Sequence, residues 1–175
     1  MKNVIYTLSV IVVVLIMTSC KENKRAKNYN RLIDDGSVLF IQQGLEEAQT
    51  EIAAAKIAQS VSKDARILIF AKSAVLDHLT SNEGLEQIAI NNKVRGGDSI
   101  SVTHQKTIDS LGTLAGTAFN KAYIQFMVTN HQAAVKSYKI ASTDKIEEIQ
   151  QFARKTLPLL RTHLDSANSI LADLK

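Results

Sequence analysis

The sequence predicts an all-α domain: a four-helix bundle with one long connection between its second and third long helices. Three observations predict it. Among 175 residues Trp is absent, Pro occurs once and Gly seven times. Ala, Leu, Ile, Lys, Glu and Gln, all good helix formers, dominate what remains. Apolar residues recur at spacings of three and four in four long segments, the period of a helix with one buried face. The stretch from 93 to about 117, opened by Gly96-Gly97, is too long for a tight turn.

The N-terminus is a separate matter. Lys2 precedes an apolar run from Val4 to Met17. A short basic start before an apolar stretch of this length is a secretory signal, and it is short of the ~20 residues a membrane span needs. The run ends in Met17-Thr18-Ser19-Cys20. This resembles the bacterial lipobox, where an apolar residue and two small ones precede an obligatory Cys. Met17 stands where Leu is usual. Cys20 is the sole cysteine, so no internal disulfide can form, and acylation is the role that its position offers. The expected organisation is a signal peptide over 1–19, a lipid-carrying N-terminus and flexible tether over 20–36, and the bundle domain over 37–175. After cleavage about 155 residues remain, the size of one domain with a real core.

The tether carries Lys21, Lys24, Arg25, Lys27 and Arg31 against Glu22, a charge balance suited to anionic headgroups. The expected partner is the membrane, through lipid on Cys20. Lys21, rather than Asp, after the modified cysteine points to the outer membrane, with the domain facing the periplasm or the surface. Nucleic acid is excluded as a partner, because no basic stripe is interleaved with aromatics.

In the first long helix, opened by Ser37 and running to about Ser60, Ile41, Leu45, Ala48, Ile52 and Ala55 form the stripe. The second runs from Ser62 or Lys63 to about Asn91, with Ile67, Phe70, Ala71, Ala74, Val75, His78, Leu85 and Ile88 inward. A short helix over Val102–Leu114 fits within the connection. The third long helix covers about Thr117–Ala141, with Phe119, Tyr123, Met127, Ala134 and Tyr138 inward. Asp144 and Glu147 read as a capping box that opens the fourth. Its stripe is Ile149, Phe152, Ala153, Leu157, Leu160, Leu164, Ala167 and Leu171, and Pro158 inside it predicts a kink. Short first and last turns around one long crossover are the connectivity of a ferritin-like four-helix bundle. An up-down-up-down bundle with a decorated loop is the alternative.

Nothing marks a nucleophile, a phosphate loop or a cofactor fingerprint, so no catalytic residue is assigned. The feature that stands out is histidine placement. His78, His131 and His163 fall one to a helix, on or beside the apolar stripes, and the first helix offers Glu47 and Glu51 one turn apart. Inward imidazoles and carboxylates on facing helices are what a bundle uses to bind a transition metal, here zinc, copper or iron. Glu47, His78, His131 and His163 are the candidate ligands. The competing reading is a structural or stress-related envelope protein whose histidines are buried core residues. A turn near residue 61 puts Glu47 level with His78. A turn near 143 leaves His131 and His163 offset by ~12 Å along the bundle, so one shared site requires a shifted turn or a kink at Pro158. His104, in the connection, is expected to be solvent-exposed. Paired Glu-x-x-His motifs are missing: Val75 and Leu160 occupy the positions three before His78 and His163. Ferroxidase chemistry is therefore not expected.

Several segments resemble a known family. Gly44-Leu45-Glu46-Glu47, Phe70-Ala71 followed by Asp77-His78, Phe119-Asn120-Lys121-Ala122-Tyr123 and Met127-Val128-Thr129-Asn130-His131 are similar to motifs of domain of unknown function 4142. That family comprises ferritin-like proteins of the bacterial envelope. The most specific segment is Phe152-Ala153-Arg154-Lys155-Thr156-Leu157-Pro158, continuing through Leu160-Arg161 to His163-Leu164. The family usually has Asp where this chain has Asn120 and Asn130. The resemblance implies a ferritin-like bundle and places Glu47, His78, His131 and His163 at motif positions, without implying an activity.

Overall fold

The computed structural model describes residues 33–174. They form five helices and no strand: α1 (Asp35–Val61), α2 (Ala65–Asn91), α3 (Val102–Gly112), α4 (Gly116–Ala141) and α5 (Glu147–Asp173). The expected signal peptide, Cys20 and the expected tether as far as Leu32 lie outside the described residues. Among the described residues no helix is long and apolar enough to cross a membrane.

Short acidic side chains set the starts of α1 and α2. Asp34 accepts from the Ser37 N–H at 2.9 Å, so α1 begins two residues before the expected Ser37. Asp64 accepts from the Arg66 N–H at 2.9 Å and fixes the start of α2. The expected capping box at Asp144 does not form, and α5 begins three residues later. Asp144 is used elsewhere: one oxygen accepts from the Ile146 N–H at 2.7 Å and the other from the Ser37 hydroxyl at 2.7 Å, tying the α4–α5 turn to the start of α1. The chain also winds on past Ala141, with the amides of Thr143 and Asp144 bonded to the carbonyls of Ile140 and Ala141. α5 continues unbroken through Pro158.

Contacts at both ends of each pair give the helix directions. Ser37 meets Asp144 and Ser62 meets Asn120, so α1 and α4 are antiparallel. Arg66 meets Asp173 and Asn91 meets Glu148, so α2 and α5 are antiparallel. Tight turns make α1–α2 and α4–α5 antiparallel as well. Consequently α2 and α4 point the same way, and the chain between them must travel the length of the bundle. This is the ferritin-like arrangement, and the up-down-up-down alternative is excluded.

The crossover lies along α1. Gln42 donates to the Arg95 carbonyl, Gln49 to that of Gly97 at 3.3 Å, and Glu46 accepts from the Ser101 N–H at 2.9 Å. Gly97 is required at its place. Its φ is +81°, and a Cβ there would lie 2.4 Å from the Gln42 carbonyl oxygen. His104 departs from its expected exposure. It sits half-buried on α3 with Nδ1 2.8 Å from Glu46, because the crossover packs on α1 and does not loop into solvent.

Two apolar clusters fill the bundle. One gathers Ala54, Ile67, Phe70, Phe119, Tyr123 and Met127. The other gathers Phe40, Ile41, Leu45, Leu85, Ile149 and Leu160. Each fully buried Leu, Ile or Phe contributes on the order of 2 kcal/mol. Between the clusters lies a layer of buried polar side chains.

Candidate metal centre

Each of the four long helices sends one polar group into that layer: Glu51 from α1, His78 from α2, His131 from α4 and His163 from α5. All four are buried. The three imidazoles form a near-equilateral triangle, with ring centroids 5.3, 5.6 and 5.3 Å apart. One ring nitrogen from each lies within 4.8 Å of the others. Phe70 packs against the triangle, its ring 5.9 Å from that of His163 and 6.5 Å from that of His131. Around the imidazoles stand their supports. Glu51 touches Nε2 of His78 at 2.7 Å and approaches Nδ1 of His131 at 3.5 Å. The Met127 carbonyl lies 3.0 Å from Nδ1 of His131, and Asp77 lies 2.9 Å from Nε2 of His163.

His131 and His163 meet directly, Nε2 to Nδ1, at 3.2 Å. The expected offset of ~12 Å between them is therefore overturned, for two reasons. First, the turn is later than residue 143, since the chain winds on beyond the end of α4 to Asp144 and α5 starts at Glu147. Second, backbone height is not side-chain height. Every side chain on a helix leans toward its own N-terminus. In an antiparallel pair the two leans are opposed, so groups converge when the residue on the incoming helix is somewhat nearer the turn. His131 and His163 have that stagger, and the convergence needs no break at Pro158.

The same lean selects the carboxylate. Glu47 is level with His78 along the backbone, but Glu51, one turn nearer the α1–α2 connection, is the residue that reaches it. Glu47 lies half-buried one turn away. Burial, then repulsion from Glu51 and Glu46, raises its carboxyl to about 7. Of the four candidate ligands the structure brings His78, His131 and His163 together, with Glu51 supplying the carboxylate contact. Asp77 was legible only as half of an Asp-His motif. Its signal was adjacency to a stripe histidine, although its contact is with His163 on another helix.

Protonation follows from these contacts. Burial works to raise the Glu51 carboxyl, but attraction to His78 and then His131 overrides it and holds the group down to about 2. Burial works to lower His78, yet Glu51 wins and raises it. The other two rings move the opposite way: burial, with repulsion from His78, lowers His131, and burial with repulsion from His131 and His78 lowers His163. The layer thus sets an ionised Glu51 against His78, whose protonated form it favours, beside two imidazoles whose neutral forms are favoured. The oxygen of Glu51 lies off the N–H axis of His78, so that Nε2 has no directed hydrogen bond despite its burial.

The two neutral rings cannot satisfy all their neighbours. If Nδ1 of His131 donates to Met127, its Nε2 is a bare lone pair. If Nε2 of His163 donates to Asp77, its Nδ1 is also bare, and two lone pairs face each other at 3.2 Å. The other tautomer of His163 moves the conflict to Asp77, setting a lone pair against a carboxylate. A cation between the rings removes the conflict. Carbonyl and carboxylate partners that fix the outer nitrogens and leave the inner ones bare are the usual supports of histidine metal ligands.

Comparison with known proteins places the chain. No curated protein matches it. A crystal structure described as a DUF305 fragment from Deinococcus radiodurans superposes with a TM-score of 0.72, covering 82% of this chain and 99% of that one. At 17% identity the likeness shows a shared fold. Residues 24–170 match the family described as domain of unknown function DUF4142. The chain is a member of the DUF4142 family.

Proposed function

We propose that this protein is a lipid-anchored envelope protein that holds a transition metal ion in its bundle, with His78, His131 and His163 as ligands. Glu51, Asp77 and the Met127 carbonyl orient and charge-balance them. The observation that carries the reading is the 3.2 Å contact between Nε2 of His131 and Nδ1 of His163, two buried rings whose outer nitrogens lie against the Met127 carbonyl and Asp77. Imidazole ligands with carboxylate support and no thiolate suit zinc, copper or iron over calcium or magnesium. A core built for stability alone is better filled by apolar side chains, since buried ion pairs return little net energy. The competing reading, histidines as ordinary core residues, draws support from the Glu51–His78 pair, which satisfies charge without a metal. It leaves the His131–His163 contact to an extra proton on one of the rings, which burial opposes at both. The anchor in this reading is lipid on Cys20, with the bundle held at the outer membrane.

Elemental analysis of the protein purified from its native envelope tests the metal. About one equivalent of zinc, copper or iron per chain is expected, lost in His131→Ala. A chain that carries less than a tenth of an equivalent, and that takes up none of the three metals on dialysis, refutes the reading.

A further inference from the structure

An ion bound among these histidines has to reach a site sealed from solvent on most sides. His131 is 0% exposed and Glu51 3%. A second groove, of 520 Å³ between α1 and α4, includes no residue of the histidine layer in its lining. The groove between α2 and α5 differs. It has a volume of 390 Å³, and both His163 and Asp77 belong to its lining, along with Phe70, Ser73, Thr162 and Ser166. Ser73 and Thr162 are exposed at its mouth. The Asp77 side chain, a third exposed, is the one carboxylate among the lining residues. A single oxygen of Asp77 accepts from the Ser73 hydroxyl at 3.0 Å and contacts Nε2 of His163 at 2.9 Å. One atom therefore touches both the mouth of the groove and a buried imidazole.

We infer that the α2–α5 groove is the port through which a divalent metal ion reaches and leaves the three histidines, and that Asp77 is its inner gate. This rests on the metal reading above. A hydrated cation cannot shed its water into an apolar seam without large cost. The wall is largely apolar, through Ile69, Phe70, Leu159 and Ile170, and its one guanidinium, Arg66, is ion-paired to Asp64 and Asp173; the Ser73, Thr162 and Ser166 hydroxyls and the Asp77 carboxylate are the lining oxygens that replace lost waters. Asp77 takes the ion at the groove floor and releases His163, whose ring nitrogens then accept it. The pairing of Asp77 with His163 closes the port when no ion is passing.

The test uses cobalt(II), whose visible absorption reports coordination, with the full-length protein in detergent micelles. Uptake and release to EDTA are followed for wild type, Ile69→Trp and Thr162→Trp, Ile69 being an exposed residue of the same lining. Both substitutions stand at the exposed mouth, where bulk narrows the groove without entering the core, and neither residue is a ligand. Uptake and release should both slow at least tenfold, with Kd within twofold of wild type, since an obstruction on a path changes both rates alike. Leu39→Trp, in the α1–α4 groove, should load at the wild-type rate. Wild-type rates in both mouth variants, or equal slowing in Leu39→Trp, overturn the port while leaving the metal site standing. A wild-type protein that takes up no cobalt overturns the metal site and the port with it.

Discussion

Exchanging Glu47 and Glu51 for glutamine, one at a time, separates a carboxylate the bundle tolerates from one it requires. The carboxyl of Glu47 rises from 4.5 to about 7 on folding, through burial and the repulsion of Glu51 and Glu46. A raised carboxyl contributes stability in full below about 4.5, and that contribution is lost as pH climbs from there to about 7. Each pH unit is worth ~1.4 kcal/mol, so at pH 8 the ionised group costs up to about 3 kcal/mol, and about 2 after solvent screening of a half-buried side chain. Glu47→Gln removes this cost while keeping the shape. In urea titrations of the metal-free domain it should raise stability by about 2 kcal/mol at pH 8 and leave it nearly unchanged at pH 4.5. Glu51→Gln should do the reverse at neutral pH. It strands a buried, charge-paired His78, a loss of about 3–5 kcal/mol for a broken buried pair. If Glu47→Gln destabilises the protein at pH 8, or gains equally at both pH values, the division of roles between these two residues is wrong.

Asp77→Asn should weaken zinc binding by roughly 10–100-fold, the usual effect of removing a carboxylate that orients a histidine ligand, as read by competition with a chelator of known affinity. An unchanged Kd would mean that Asp77 does not orient His163. Gly97→Ala combines a positive φ with a Cβ placed against the Gln42 backbone, so it should cost more than ~1 kcal/mol in urea unfolding; a neutral result would show that the crossover shifts freely on α1. Mass spectrometry of the mature N-terminus should find acyl chains on Cys20, and Cys20→Ser should accumulate as unprocessed precursor. A mature chain beginning at another residue rejects the lipoprotein assignment.

Residue spacing along the chain specifies the helices and which faces they bury. Ile41, Leu45, Ala48, Ile52 and Ala55, chosen by spacing alone, are all buried, because residues three and four apart share one face of a helix and that face turns to the core. Crossover length was equally legible, and with it the ferritin-like connectivity, since 93–117 is too long for a hairpin and α4 has to start at the far end. Three histidines on separate stripes announced a polar layer. Which groups meet within it was decided only by tertiary structure. Residue counts locate backbone atoms, whereas contact depends on the lean of each side chain and on where a turn ends. Those two terms exchange Glu47 for Glu51 and close an expected 12 Å gap between His131 and His163 to a 3.2 Å contact. Asp144 makes the same point at the bundle end, where a local capping signal lost to a partner 107 residues away in sequence. The support of His163 by Asp77 and the groove above it belong to the packing of α2 on α5, and spacing along one helix carries no record of what the next helix brings beside it.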